Sequence, residues 1–222
     1  MAQSAILKSS VAKKVAMALS GLFLISFLAL HVSLNMVSVF SADAFNTASH
    51  FMGYNPIIQF VMQPILALGV VFHFVMGFVL EIQNRNSRPI GYAKYNGAAN
   101  ASWSSRNMIV SGLVILAFFG LHFYDFWFPE LGYKYIAVTT PDATRYSTEL
   151  AHKFENPVRT AFYCLAFLLL SLHLWHGFNS SFQSVGFNNK YSKALHKLGY
   201  AFAIVVPFGF IFIALFHHFN HS

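Results

Sequence analysis

Histidines inside long apolar stretches are the residues of this chain best suited to chemistry. The chain has 11 histidines. Six of them lie in predicted loops or near the ends of the apolar stretches, where contact with water is sufficient to account for a polar side chain: His50, His152, His196, His217, His218 and His221. Those deep within apolar stretches are His31, His73, His122, His173 and His176. Imidazole is a common ligand of transition metals, so these positions indicate metal binding or a structural hydrogen bond.

One spacing repeat places a serine–glycine pair before two of these histidines. Ser20-Gly21 precedes His31, and Ser111-Gly112 precedes His122, with ten residues from glycine to histidine in both. The shared spacing indicates that the two segments position their histidines in the same way.

A second repeat places a glycine after two other histidines. His73 is followed four residues later by Gly77, and His173 by Gly177. Residues four apart lie on one face of a helix. Because glycine has no side chain, it lets a flat macrocycle or a neighbouring helix come close to the histidine.

The composition places the elements that carry these histidines in a bilayer. Of the 222 residues, 56% are hydrophobic and only 9% are charged, whereas soluble domains carry about 25% charged residues. A membrane-spanning helix needs roughly 20 apolar residues. Charge-free stretches, and the turn at Gly53-Tyr54-Asn55-Pro56, predict five spans at about 15–40, 57–82, 107–127, 158–182 and 198–218. The first exceeds the roughly 7–15 apolar residues of a secretory signal, so we expect a retained helix.

Lysine and arginine are divided unevenly between the two sides of these spans. One side carries Lys8, Lys13, Lys14, Arg85, Arg88, Lys94, Arg106, Lys190, Lys193 and Lys197, and the other carries Lys134, Arg145, Lys153 and Arg159. The positive-inside rule predicts an all-α integral membrane bundle, a single domain over residues 1–222, with its N-terminus in the cytoplasm and its C-terminus outside. The basic residues on the N-terminal side account for most of the net charge of +7. They could attract anionic lipid or an acidic partner subunit, and the charge does not require nucleic-acid binding as its explanation.

Four of the histidines fall at two depths. His31 lies ~25 Å and His122 ~24 Å beyond the last charged residue before its span, so both are near the outer face. His73 and His173 come late in inward-running spans, roughly 10–15 Å from the inner face. Two imidazoles at each of two levels are what two bis-histidine haems stacked across a membrane require.

Other metal chemistry agrees less well with the pattern. Zinc sites converge four ligands at one depth, and no carboxylate or second cysteine accompanies these histidines. No C-x-x-C-H motif is present for covalent haem attachment. The pattern therefore predicts two non-covalent haem b (protohaem IX) groups, the outer iron bound by His31 and His122 and the inner iron by His73 and His173.

His173, rather than His176, is the predicted ligand in the fourth span. The two are three residues apart, so they point about 300° around the helix from one another. His173 repeats the His-x-x-x-Gly spacing of His73, whereas Met76 occupies the place in the second span that corresponds to His176.

Taken in order, these residues resemble the type-B cytochrome b subunit of succinate:quinone oxidoreductases, the succinate dehydrogenases and fumarate reductases of complex II. The resemblance covers essentially the whole chain and is in particular to the single-chain, five-helix, di-haem anchors of Bacteroidetes-like bacteria. It rests on Ser20-Gly21…His31, Phe72-His73…Gly77, Ser111-Gly112…His122 and His173-Leu-Trp-His-Gly177 followed by Phe182-Gln183.

The resemblance implies a haem-carrying, quinone-reactive subunit that has no dehydrogenase activity alone. Its expected partners are an iron–sulfur subunit and an FAD-containing flavoprotein on the cytoplasmic face of a bacterial inner membrane. Its expected electron acceptor or donor is menaquinone or ubiquinone. The direction of catalysis and the dimerisation of complexes stay open. Some family members carry a carboxylate beside the ligand histidine of the fourth span, associated with proton movement, and this chain has none there.

Two further sets of residues are candidate contacts of these groups. A quinone near the outer haem needs a hydrogen-bond donor and a proton route, and the candidates are Asp43, His50, Asn55 and Asp125. The propionates of the inner haem need cationic and N–H donors, and the candidates are Arg106 and Trp103. Solvated loop residues and ordinary membrane anchoring explain the same positions.

Two other functions compete with this interpretation. Another di-haem cytochrome b, such as the anchor of a formate dehydrogenase or hydrogenase or a b561-like protein, often places paired ligands on one helix. A proton-coupled transporter predicts carboxylate partners and helices broken at the midplane. Single ligands on four spans favour the first interpretation, and a haem spectrum would separate the classes.

Overall fold

The structure, a computed structural model, describes residues 9–87, 103–138, 140–187 and 189–220. Over these residues it consists of helices without a β-strand: α1 (Ser10–Phe40), α2 (Ala42–Tyr54), α3 (Ile58–Asn86), α4 (Trp103–Arg106), α5 (Met108–Ile136), α6 (Arg145–Glu155), α7 (Pro157–Ser184) and α8 (Ser192–Phe219). Five of them, α1, α3, α5, α7 and α8, have 28–31 residues and are apolar enough to cross a membrane. The predicted all-α bundle with five membrane-spanning helices is confirmed. Lys8, Arg88, Lys94 and His221 lie outside the described residues.

Residues 42–54, expected to form part of a loop, form helix α2 instead. The backbone N–H of Ser41 donates to the Val37 carbonyl at 3.0 Å, which completes α1. The Ser41 hydroxyl accepts the N–H of Ala44 at 3.2 Å, which caps α2. Asp43 lies in the first turn of α2, where the helix dipole favours a carboxylate. One serine therefore ends the first helix and begins the second.

Helix α5 continues to Ile136 instead of ending near residue 127 as predicted. It passes through Pro129, which has no N–H to donate. Wider, π-helical turns flank the proline at Phe123–Trp127 and Gly132–Ile136, and the N–H of Phe128 bonds to the carbonyl of Phe123. These turns let the helix absorb the proline.

A side-chain hydrogen bond supports the proline within α8. Pro207 is buried and leaves the carbonyl of Ala203, one turn earlier, without its usual N–H partner. Ser171 of α7 donates its hydroxyl to that carbonyl at 2.6 Å. Because no water is present in the hydrocarbon core, this bond satisfies a group that would otherwise be costly.

The four helices that carry the predicted ligands are neighbours in the bundle. Helix α1 packs against α3, α7 and α8, and α5 packs against α7 and α3. The most buried apolar cluster lies among α2, α6, α7 and α8: Phe45, Leu150, Phe154, Tyr163, Phe167, Val206, Phe210, Ile213 and Ala214. Helix α3, in contrast, has no buried residue.

Candidate functional site

The imidazoles of His73 in α3 and His173 in α7 lie side by side between these helices. Their ring centroids are 6.4 Å apart and their planes are inclined by 68°. The Nδ1 atom of His73 lies 3.0 Å from the hydroxyl of Ser20 in α1. The Nδ1 atom of His173 lies 3.1 Å from the hydroxyl of Ser111 in α5. Two helix pairs therefore make the same serine–histidine contact.

The glycines of the sequence repeats lie at this same level. A Cβ atom at Gly21 would lie 3.6 Å from Cε1 of His73, and one at Gly112 would lie 3.7 Å from Cε1 of His173. The serine–glycine pair of one helix thus borders the imidazole of the next. The sequence analysis found this repeat, but it related the serine and glycine to the histidine ten residues after the glycine on the same helix. In the structure they border the histidine of the neighbouring helix instead.

The glycines that follow these histidines accommodate methionines. A Cβ atom at Gly77 would lie 3.6 Å from Cε of Met17, and one at Gly177 would lie 3.2 Å from Cε of Met108. Helices α1 and α3 therefore pack in the same manner as α5 and α7. The bundle contains an internal repeat of a helix pair.

The imidazoles of His31 in α1 and His122 in α5 form a second pair. Their ring centroids are 5.9 Å apart, with an interplanar angle of 83°. The Phe27 ring stacks on His31 at 5.3 Å and the Phe118 ring stacks on His122 at 5.6 Å. Further rings that contact this pair are those of Phe123, Phe126, Tyr163 and Phe210. The sequence contains 26 phenylalanines and did not indicate which of them surround the histidines.

The two pairs lie at different heights in the bundle. Ser20 contacts the first pair, and His31 follows eleven residues later on the same helix. Ser111 and His122 have the same separation on α5. At 1.5 Å per residue, this separation corresponds to about 16 Å along the helix axes. The two histidine pairs that lie together in the structure are the same two that were predicted from the heights of the histidines in their spans.

Both pairs have the dimensions of a two-imidazole metal centre. A metal–imidazole bond is about 2 Å long, so two imidazoles on opposite sides of one metal place their ring centroids about 6 Å apart. The observed separations of 6.4 and 5.9 Å agree with this value. In the described part of the chain, no group of three or more His, Cys, Asp or Glu side chains converges as a multi-ligand metal site does. Each pair thus offers two imidazole donors, without a third His, Cys, Asp or Glu ligand among the described residues.

His176 lies one turn beyond His173 but makes no ring contact with another imidazole among the described residues. It is half-buried. His173, in contrast, has both an imidazole neighbour and a hydroxyl partner. The geometry favours His173 as the binding residue of α7.

Asp125 in α5 is fully buried one turn beyond His122. Its Oδ2 accepts a hydrogen bond from the Tyr163 hydroxyl at 2.9 Å and lies 3.4 Å from Nε of Arg159. Its Oδ1 has no hydrogen-bond partner among the described residues, although Nζ of Lys153 is 4.0 Å away. The Tyr163 ring in turn contacts His122 at 6.3 Å. Asp125 thus lies buried in the π-helical turn of α5 and is linked to His122 through the Tyr163 side chain.

The other predicted quinone contacts do not converge on Asp125. Asp43 is exposed in the first turn of α2. The His50 ring stacks on Tyr54 at 4.5 Å. The Asn55 side chain accepts the N–H groups of Ile57 and Ile58 at 3.0 and 3.3 Å, which is a helix cap. Within the described ranges, no hydrogen bond, ion pair or ring contact joins any two of these four candidates.

The two predicted propionate contacts lie in α4, just before α5. Trp103 is 59% exposed and Arg106 ends the short helix. Helix α4 packs against α7, the helix that carries His173. Both residues are thus at the end of the bundle nearer the His73–His173 pair.

A polar cluster that the sequence did not reveal joins α2, α5 and α6 at the opposite end. Nζ of Lys134 donates to the Gly53 carbonyl and pairs with Oε1 of Glu130, each at 2.5 Å. Arg145 also pairs with Glu130. The Tyr146 hydroxyl donates to Glu130 at 3.1 Å, and burial raises the pKa of Tyr146. The four-residue spacing of Glu130 and Lys134 was the available signal.

Comparison with known proteins identifies no relative. No protein-family model, no curated protein and no solved structure matches this chain. The functional proposal therefore depends on the chain's own residues.

Proposed function

We propose that this membrane protein is a di-haem cytochrome b that anchors a succinate:quinone oxidoreductase. The observation that carries the proposal is the presence of two imidazole pairs, each with its rings about 6 Å apart, on four neighbouring helices. Haem iron held by two histidines carries single electrons and has no open coordination position. His73 and His173 would hold the inner haem, and His31 and His122 the outer haem.

The surroundings of the histidines suit this role. Hydroxyl partners hold the Nδ1 atoms of the inner pair, which leaves the Nε2 atoms to bind iron. Aromatic rings surround the outer pair, including Phe27 and Phe118. An apolar shell keeps water from a redox centre and shifts its potential. Arg106 and Trp103 remain candidates for the propionates of the inner haem.

The charge distribution supports the proposed partners and orientation. The end of the bundle at which α1 begins carries Lys13, Lys14, Arg85, Arg106, Lys190, Lys193 and Lys197. By the positive-inside rule this end faces the cytoplasm of a bacterium. There an iron–sulfur subunit and an FAD-containing flavoprotein would dock and exchange electrons with the inner haem. The chain alone would have no dehydrogenase activity.

Asp125 is the best candidate for a proton-exchanging contact of the quinone. It is the member of the predicted set that is buried, has one oxygen without a hydrogen-bond partner among the described residues, and bonds to Tyr163, whose ring contacts His122. A quinone takes up two electrons and two protons when it is reduced to the quinol, one proton at each carbonyl oxygen, so a carboxylate beside the outer haem is suited to exchange a proton with it. Menaquinone and ubiquinone both have this chemistry.

A pyridine haemochrome assay on the purified chain tests the core of the proposal. We expect two protohaem IX per chain, both low-spin, and reduction of both by succinate when the whole complex is purified. A flavoprotein and an iron–sulfur protein should co-purify. One haem or none would refute the di-haem cytochrome, and two haems reduced by formate or hydrogen but not by succinate would favour the anchor of another dehydrogenase.

A further inference from the structure

Two serines occupy equivalent places in the internal repeat and contact the two imidazoles of the inner pair. Ser20 lies 3.0 Å from Nδ1 of His73, and Ser111 lies 3.1 Å from Nδ1 of His173. The serine and the histidine come from different helices in both cases. Two separate helix pairs thus make the same contact, at equivalent positions of the repeat and with the same imidazole nitrogen.

The direction of both hydrogen bonds follows from the single proton of each hydroxyl. Ser20 donates its proton to the Met17 carbonyl at 2.7 Å, and Ser111 donates to the Met108 carbonyl at 2.9 Å. Each serine oxygen is then left as an acceptor, so Nδ1–H of the imidazole donates to it. The proton on Nδ1 leaves the lone pair on Nε2, which is the form of imidazole that binds a metal.

Three other serines of α1 can be compared with Ser20, and one of them, Ser38, has the same arrangement: its hydroxyl donates to the Asn35 carbonyl at 2.6 Å and lies 2.8 Å from Nε2 of His217. Ser26 and Ser33 donate to carbonyls four residues earlier, at 3.0 and 2.8 Å, and have no imidazole partner in the described structure. A hydrogen bond to a backbone carbonyl is therefore sufficient for a serine hydroxyl in α1. A serine of α1 makes the additional imidazole contact where a histidine of another helix faces it, as His73 faces Ser20.

The outer pair lacks such serines. Nδ1 of His122 is buried without a hydrogen-bond partner among the described residues. Nδ1 of His31 lies 3.4 Å from the amide nitrogen of Asn35, which already donates to the His31 carbonyl at 2.8 Å. The two pairs of imidazoles are therefore held by different chemistry.

We propose that Ser20 and Ser111 are positioning residues that fix the tautomer and ring orientation of His73 and His173 and tune the inner haem. This inference deepens the proposed function and rests on it. A ligand histidine that donates its other N–H is a more basic ligand. A more basic ligand stabilises the ferric state, so removal of either serine acceptor raises the midpoint potential of the inner haem and leaves the outer haem unchanged.

The experiment is a redox titration with EPR on the whole complex carrying matched substitutions. Thr and Val have the same shape and differ in the hydroxyl, so Ser20→Thr and Ser20→Val isolate the hydrogen bond, as do Ser111→Thr and Ser111→Val. We expect the Thr variants to retain the wild-type potentials. The Val variants should shift one haem to higher potential with a changed low-spin signal, or lose that haem alone, and both Val variants should affect the same haem.

The controls separate failure of this inference from failure of the proposed function. Ser26→Val and Ser33→Val remove hydroxyls from α1 that face no imidazole, and both haems should keep their potentials. If the wild-type complex holds no haem, the proposed function is wrong. If it holds two haems and each Val variant behaves like its Thr counterpart, or the two Val variants affect different haems, the proposed role of the serines is overturned.

Discussion

The imidazoles of His31 and His122 lie next to each other, with ring centroids 5.9 Å apart and planes inclined by 83°. The two residues are on α1 and α5, whereas His73 and His173, which form the other pair, are on α3 and α7. No helix supplies both members of a pair. Each pair therefore depends on the packing of two helices that are distant in sequence.

Loss of one histidine should damage one haem and spare the other. We expect His31→Ala and His122→Ala to convert the same haem to a high-spin form or to empty its site, because each removes one of the two axial nitrogens in the proposed assignment. His73→Ala and His173→Ala should do the same to the other haem. EPR and pyridine haemochrome analysis measure both effects. The exposed His152 provides a control, since His152→Ala should leave both signals intact, and damage to different haems by His31→Ala and His122→Ala would contradict the pairing.

Substitution of His176 should retain both low-spin signals. In this structure it is His173 that faces His73 and Ser111, while His176 points elsewhere around α7. EPR spectra of His176→Ala and His173→Ala, recorded side by side, measure the difference. Loss of the inner signal in His176→Ala with its retention in His173→Ala would reverse the ligand assignment in α7.

Asp125→Asn should slow quinone turnover by about 100-fold, which is the smaller end of the contribution from a positioned proton carrier. The amide retains the shape of the carboxylate but cannot exchange the proton. Haem content should remain at the wild-type level, which distinguishes lost chemistry from lost structure. Asp43→Asn changes an exposed carboxylate of α2 and should leave turnover unchanged. Equal turnover in the two variants would remove Asp125 from the quinone site.

Asn55→Ala should destabilise the chain by about 1 kcal/mol, because it removes the side chain that caps α3. Its oxygen accepts two backbone N–H groups, those of Ile57 and Ile58. Asn55→Asp retains the acceptor and should restore the stability. Unfolding by SDS in detergent micelles, followed by circular dichroism, compares the variants. A quinone defect in Asn55→Asp without a change in stability would instead assign Asn55 to the quinone site.

Ser171→Ala should also destabilise the bundle, by about 1 kcal/mol, as is typical of a hydrogen bond between membrane helices. Pro207 has no N–H to donate to the Ala203 carbonyl, so the substitution leaves this carbonyl without a hydrogen-bond donor. Ser184 donates only within its own helix, to the Ser180 carbonyl, so Ser184→Ala is the matched control. The same unfolding assay applies, and equal stability of the two variants would show that the carbonyl of Ala203 finds another partner.

Much of the fold was open to prediction from local patterns. The charge-free stretches predicted five spans because a helix that crosses a bilayer needs roughly 20 apolar residues. The ends were less predictable. The Ser41 cap starts α2 in what the hydropathy assigned to a loop, and the turns around Pro129 carry α5 to Ile136. These features depend on single hydrogen bonds, which a hydropathy pattern does not contain.

The sequence by itself determined that the solvent is a bilayer and that four histidines lie at two heights, because both follow from composition and from the rise per residue of a helix. The tertiary structure alone decided which side chains meet across helices. Ser20 meets His73, Asp125 turns inward to Tyr163, and Phe27 rather than another phenylalanine stacks on His31. The rotation of each helix about its axis and the choice of its neighbours set these contacts. Because these helices are apolar on nearly every face, the hydropathy pattern specifies neither the rotation of a helix nor its neighbours.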